Sequence, residues 1–193
     1  MTWLQITALS LLAIFYGIYF TKLLLMKLQG IQADQMASGK HGREFYMELL
    51  MKIANYLVVL AMALSILFVN PISNIYLNIL GLVLAIFGTV VFFLAIWYMR
   101  NNWRAGIPLQ DKTNLVTNGI YRISRNPAFL GFGMLYVGIC IMYFNPFLLI
   151  ATLLTIALLH NQILMEEKFL IKTFGKEYEQ YMRSVSRYFG QRR

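Results

Sequence analysis

Charge and cysteine are what this sequence is short of. Only 13% of its 193 residues are charged, against 59% hydrophobic ones, whereas a soluble domain carries about 25% charged residues. An ordinary soluble fold is excluded on that ground. A single cysteine, Cys140, rules out a disulfide within the chain and a metal site built on cysteines. The chain also lacks a P-loop, a Gly-x-Gly-x-x-Gly following a strand, a His-Glu-x-x-His pair and a Gly-x-Ser-x-Gly elbow, so no metal site and no soluble nucleotide-binding domain is expected. Acid is scarcer than base: 8 Asp and Glu stand against 17 Lys and Arg, a net charge of +9. In so apolar a chain, the position of those charges says more than their sum.

What is present is a series of long apolar runs. About 20 such residues cross a bilayer core, and on that measure five spans are expected: Trp3 to Met26, Leu49 to Val69, Ile75 to Met99, Ala128 to Phe144 and Phe147 to Leu164. The first has no basic residue before Lys22 and no small-residue cleavage pattern after it, so it reads as a retained helix and not a secretory signal. Asn-Pro steps punctuate the chain at Asn70-Pro71, Asn126-Pro127 and Asn145-Pro146. An Asn side chain can cap free backbone N–H groups, and Pro is preshaped for the first helical position. The fourth and fifth runs therefore form a tight helical hairpin. The fold class expected is all-α: a polytopic membrane protein of five transmembrane helices with a helical C-terminal tail, in which Gly175 divides two pieces.

Every basic residue falls between Lys22 and Lys52, Arg100 and Arg125, or Lys168 and Arg193. Basic loops mark the cytoplasmic side, which puts the N-terminus outside and the C-terminus in the cytoplasm, in a membrane of the prokaryotic inner type. The acids share that face: Asp34, Glu44 and Glu48 in the first inner loop, Asp111 in the second, Glu166, Glu167, Glu177 and Glu179 in the tail. Residues 1–99 then read as an anchor and residues 100–193 as the half that carries the long polar loop, the helical hairpin and the tail. The loop from Arg100 to Ser124 is long for an idle connection.

The stretch Gly119 to Gly131 organises the candidate site. Arg122 and Arg125 at this helix mouth can be plain topology signals with snorkelling side chains, yet a guanidinium held beside a polar pocket suits a carboxylate. Glu166 and Glu167 end the fifth span, where topology asks for no acid, and adjacent side chains on a helix diverge, so only one need face inward. His160, Asn161 and Gln162 lie one turn away, and polar residues at membrane depth usually face protein or a cavity. Tyr121, Asn126 and Phe129 surround the helix start, although an aromatic belt and a helix cap account for them equally. Trp103, within Asn101-Asn102-Trp103-Arg104, reads on its own as an interfacial anchor.

Taken together, Asn101-Asn102-Trp103, Leu115-Val116-Thr117, Gly119-Ile120-Tyr121, Arg125-Asn126-Pro127-Ala128-Phe129 with Gly131, Asn145-Pro146, Glu166-Glu167, and Phe174-Gly175-Lys176-Glu177-Tyr178 with Tyr181 resemble the isoprenylcysteine carboxyl methyltransferase family. That family belongs to the integral membrane methyltransferases, which include phospholipid methyltransferases. The resemblance covers Met99 to Phe189. It implies S-adenosylmethionine in a cytosol-facing pocket and a lipophilic or lipid substrate arriving from the bilayer. By motif position the cofactor contacts are Thr113, Asn114, Leu115, Val116, Tyr121, Asn126, Pro127, Ala128, Phe129 and Glu166. Arg125 and Glu167 are the catalytic candidates, and Gln162, His160 and Trp103 the candidates for substrate contact. The family's Arg-His-Pro-x-Tyr reads Arg125-Asn126-Pro127-Ala128-Phe129 here, and a substrate-contacting Arg of eukaryotic members is matched by Gln162. Rival readings are an amine-methylating phospholipid enzyme, a steroid or enone reductase with a nicotinamide dinucleotide, and a helical scaffold without activity.

Overall fold

The structure is a computed structural model that describes residues 1–107 and 113–190. Six α-helices follow in order: α1 Trp3–Leu28, α2 Gly42–Phe68, α3 Ile75–Met99, α4 Pro127–Met142, α5 Pro146–Phe174 and α6 Lys176–Ser184, with short 3-10 turns at Arg100–Asn102 and Gly119–Arg122. Among the described residues there is no strand, only one isolated bridge between Asp34 and Ala105. Asp111 and Lys112 of the second inner loop, and the terminal arginines, lie outside the described residues.

Local chemistry sets most helix starts. Thr2 caps α1 reciprocally with Gln5, its hydroxyl accepting from the Gln5 N–H at 3.2 Å while its own N–H donates to Gln5 Oε1 at 2.7 Å. Asn74 caps α3 through Tyr76 N–H at 2.9 Å, and Asn145 caps α5 through Leu148 N–H at 2.9 Å with Pro146 in the first turn. Asn126 breaks the pattern. Pro127 opens α4 as expected, but the Asn126 side chain makes no cap bond; its amide is drawn away to Glu167 and to the Arg187 carbonyl.

Four helices, α1, α2, α3 and α5, are long and apolar enough to cross a membrane, and the chain is a membrane protein. The run expected as a fourth span is α4, whose 16 residues extend about 24 Å at 1.5 Å each. Two helices outrun their expected bounds. α2 begins at Gly42, so Glu44 and Glu48 are helical and not in a loop. α5 continues to Phe174, so Glu166 and Glu167 sit inside a continuous helix and not at its end. Nothing breaks the helix before Gly175, whose φ of 54° suits a residue without Cβ.

The bundle is built on a close approach of antiparallel α3 and α4. A Cβ placed on Gly81 would stand 2.5 Å from the Gly138 carbonyl oxygen, and one on Gly88 would stand 2.7 Å from that of Gly131. Small residues at such spacing let backbones meet where lipid supplies no hydrophobic drive between helices. α2 packs along α5, while α1 closes one side through Phe15, stacked on Phe92 at 4.5 Å and edge-on to Phe132 at 4.8 Å. Between α1 and α2 the chain folds back under the bundle: Ala105 N–H donates to Ala33 O and Gln35 N–H to Ala105 O, both at 2.8 Å, and Lys52 pairs with Asp34 at 2.8 Å.

Gly88→Ala is expected to cost about 1–3 kcal/mol through overpacking against backbone, read as a lower unfolding temperature in detergent. Gly17→Ala on α1, where no atom lies within 4 Å of the added methyl, serves as the control and leaves that temperature unchanged or higher.

Candidate functional site at the inner end of the bundle

Two cavities meet beneath α5. The larger, about 310 Å³, is lined by α1 and α2 on one side and by Trp103, Ala128, Phe129, Phe132 and Leu159 on the other. The smaller, about 90 Å³, lies between the Thr113 to Val116 segment and the face of α5 and α6 that carries Phe169, Leu170, Tyr178 and Tyr181. Arg104, Gly106 and Glu166 line both. The larger reaches the lower end of the small-molecule range, about 300–1,000 Å³; the smaller holds part of a ligand. Phe20 of α1 and Tyr56 of α2 line the larger cavity yet are 51% and 59% exposed. That cavity therefore opens sideways between α1 and α2, towards lipid.

The smaller cavity is shaped by short-range contacts. Asn102, at the exit of α3, accepts from Asn114 N–H at 2.9 Å and so holds the start of the Thr113 to Val116 segment. Tyr121, 3% exposed, receives at its carbonyl the Tyr181 hydroxyl at 2.6 Å. Burial pushes both phenols up, so they remain neutral donors.

Arg125 and Glu167 are brought together, with side-chain exposures of 2% and 5% and a separation of 2.7 Å. The rest of the Arg125 fork donates to the carbonyls of Met182 at 3.0 Å and Val185 at 2.9 Å. Arg187 completes the cluster, donating to Glu167 Oε2 at 2.7 Å, and that contact raises its own pKa. The guanidinium of Arg125 lines the smaller cavity while its donors are directed at protein. Glu167 lines neither cavity.

The remaining expected residues divide. Thr113, Asn114, Leu115, Val116 and Tyr121 line the smaller cavity, Ala128, Phe129 and Trp103 the larger, and Glu166 both. Asn126 and Pro127 stand behind the wall, outside both linings. Gln162 lies behind it too, bonded to Glu166 Oε1 at 3.3 Å and to Glu48 Oε1 at 3.4 Å. His160 pairs with the Tyr188 hydroxyl and lines neither cavity.

Sequence reasoning missed Glu48 as a site element. It is fully buried, takes Lys40 as its ion partner, and accepts from Ala37 N–H at 2.7 Å and Ile107 N–H at 3.1 Å. An acid entering an apolar run was its one visible signal. Arg187 was hidden among the tail's other basic residues.

The site thus belongs to a helical membrane protein in which an apolar cavity, open at its side, joins a smaller one at Arg104, Gly106 and Glu166. Comparison with known proteins narrows this class. The model of the phospholipid methyltransferase family matches residues 76–177, more than half the chain, and the chain belongs to that family. Similar proteins include the probable protein-S-isoprenylcysteine O-methyltransferase of Oryza sativa subsp. indica, 34% identical over 113 residues that make up 57% of this chain and 59% of the rice protein. Protein-S-isoprenylcysteine O-methyltransferase A of Arabidopsis thaliana is 26% identical over 187 residues, 94% of this chain and 91% of its own length. The human protein-S-isoprenylcysteine O-methyltransferase is 28% identical over 113 residues, 57% of this chain and 40% of its own. The chain thus spans about three fifths of the rice relative that it matches. These relatives lie where the motifs pointed, in the isoprenylcysteine methyltransferase group of membrane methyltransferases.

Arg125→Ala leaves Glu167 with one ion partner, Arg187, and frees the Met182 and Val185 carbonyls. Breaking a buried pair costs about 3–5 kcal/mol. Faster hydrogen exchange at residues 182–190 together with a lower unfolding temperature is expected, and Arg125→Lys, lacking the fork, restores little of either.

Proposed function

We propose that the protein moves a methyl group from S-adenosylmethionine to a lipophilic acceptor, at the junction where Glu166 lines both cavities. That shared wall is the observation that carries the reading, because it lets two ligands of opposite polarity meet while each keeps its own chamber. In this reading the chain crosses the membrane five times with its C-terminus in the cytoplasm. Residues 100–193 hold the reagents, and residues 1–99 supply the far wall of the acceptor cavity.

The residues present suit the cofactor. Carbonyl and N–H groups of Thr113 to Val116 can meet an adenine edge, Phe169, Leu170 and Tyr121 give apolar faces to its plane, and the Glu166 carboxylate suits ribose hydroxyls or a cationic centre. When bound, the cofactor supplies an electrophilic methyl group on a sulfonium. Asn126 and Pro127 fix the start of α4 so that Ala128 and Phe129 separate the chambers. Arg125 and Glu167 act as positioning residues: one borders the smaller cavity, the other holds it. A dinucleotide would bring a pyrophosphate, and the smaller cavity offers it little, because Arg125 is directed at Glu167 and two carbonyls.

The names of the similar proteins favour an acceptor of the prenylcysteine kind. Its chain would lie in the larger cavity with Trp103 as one wall, and its carboxylate would approach Arg104 at the junction. A carboxylate is ionised at neutral pH, so no general base is needed. The protein's task is alignment and exclusion of water. Gln162 serves by holding Glu166 in place, and His160 by holding the tail through Tyr188.

Calorimetry on the purified protein tests this. Glu166→Ala is expected to weaken S-adenosylmethionine binding by about tenfold, as loss of a buried hydrogen-bond acceptor implies; unchanged affinity refutes the assignment. Supplying methyl-deuterated cofactor to membranes containing the protein should yield a mass-shifted lipophilic carboxyl ester, absent with Glu166→Ala.

A further inference from the structure

Beyond Lys52 and the junction at Arg104 and Glu166, the wall of the larger cavity carries polar groups at Tyr16, Tyr19, Asn55 and Tyr56 and is otherwise mostly apolar. Tyr136 of α4, fully buried, is 2.7 Å from Asn55 Oδ1 of α2 and 2.9 Å from the Tyr16 hydroxyl of α1. Tyr16 and Asn55 line the cavity. Seven positions separate Phe129, near the junction, from Tyr136 on α4, so this cluster lies about 10 Å further into the bundle. It stands near the middle of α1 and α2, one turn along α2 from the Lys52 that pairs with Asp34.

Three helices thus place three polar groups at membrane depth, at the edge of a cavity open to lipid. Polar side chains there are costly unless paired. Pairing is complete for Tyr136 but not for Asn55: the amide meets Tyr136 through one end, and its other end has no partner among the described residues. Whichever way the amide is turned, an N–H remains to be donated. With Oδ1 on Tyr136, both amide hydrogens are spare; with Nδ2 on Tyr136, one is.

We infer that the larger cavity selects a lipophile whose chain carries a hydrogen-bond-accepting oxygen, a keto, ether or hydroxyl group, at the depth of Asn55. This rests on the reading of that cavity as the acceptor site and departs from a plain prenyl chain, which carries no oxygen. A plain hydrocarbon still fits, since Leu12, Val59 and Leu159 share the wall, but it leaves the Asn55 donor unsatisfied. Leaving a buried donor unpaired costs enough to discriminate between such ligands, as pockets built around polar groups do. If the cluster served only to staple α1, α2 and α4, ligand preference would not depend on it.

Binding decides between these. The full chain in lipid nanodiscs is titrated with labelled N-acetyl-S-alkylcysteines of one chain length, one saturated and the others with a keto group at successive chain positions. One interior keto position is expected to bind about fivefold tighter than the saturated compound. In Asn55→Leu that maximum disappears and the saturated compound, no longer facing an unpaired donor, binds at least as tightly as the keto compounds. Asn55→Ala, which adds no volume, gives the same result should the leucine variant not fold. A flat series in the unaltered protein, or a maximum that survives both substitutions, overturns the inference and leaves the acceptor cavity standing. Failure of every compound to bind overturns both.

Discussion

A dehydrated ion pair holds the inner end of this molecule together. Arg125 sits at the turn into α4, Glu167 about two turns from the end of the hairpin's second helix, and the carbonyls of Met182 and Val185 on the tail; one planar guanidinium touches all of them. Few other side chains could do this, because the fork offers several donors in fixed directions. Once those contacts form, Tyr178 and Tyr181 are pressed against Tyr121 and Ala95 as a second small core, and the smaller cavity gains its back wall. A charge that reads as a ligand for substrate in the sequence is, in the folded chain, the fastener of the chamber.

A second buried acid does the same on the opposite side. Glu48 joins Lys40, the backbone at Ala37 and Ile107, and Gln162, so the first inner loop, the entrance to the Thr113 segment and α5 share one anchor. Gln162 then reaches Glu166, the residue common to both cavities. The residues matched by the family model, 76–177, are therefore not a self-contained site: α1, α2 and the loop between them close it. Such buried pairs add little net stability for their desolvation cost, but removing one partner is severe, which makes them good at enforcing a single arrangement.

Much of the candidate site was legible because its parts are short and local. The Asn102, Thr113 to Val116, Tyr121 and Glu166 positions came from motif order, and they line one cavity. His160 was placed near the site by helical spacing and Gln162 by spacing together with the family resemblance, and neither could tell that one would turn to Tyr188 and the other to Glu48. Asn126 shows the same limit. Its sequence context is that of a helix cap, but a carboxylate and a carbonyl from segments some 40 and 60 residues away compete for its amide and prevail.

What the sequence determined by itself was the solvent and the punctuation. Long apolar runs, the sidedness of the basic residues and the Asn-Pro steps are properties of short windows, and they suffice to make helices of roughly the right length in a membrane. Where α5 ends depended on the first residue able to adopt a positive φ, Gly175, and that too is local. Tertiary structure alone decided which charges would be buried as partners, that glycines on α3 and α4 would meet face to face, and that Tyr16, Asn55 and Tyr136 would gather from three helices at one depth. Each of those depends on groups far apart in the chain whose energies are set by the removal of water, and a sequence window carries no record of which distant groups will share that loss.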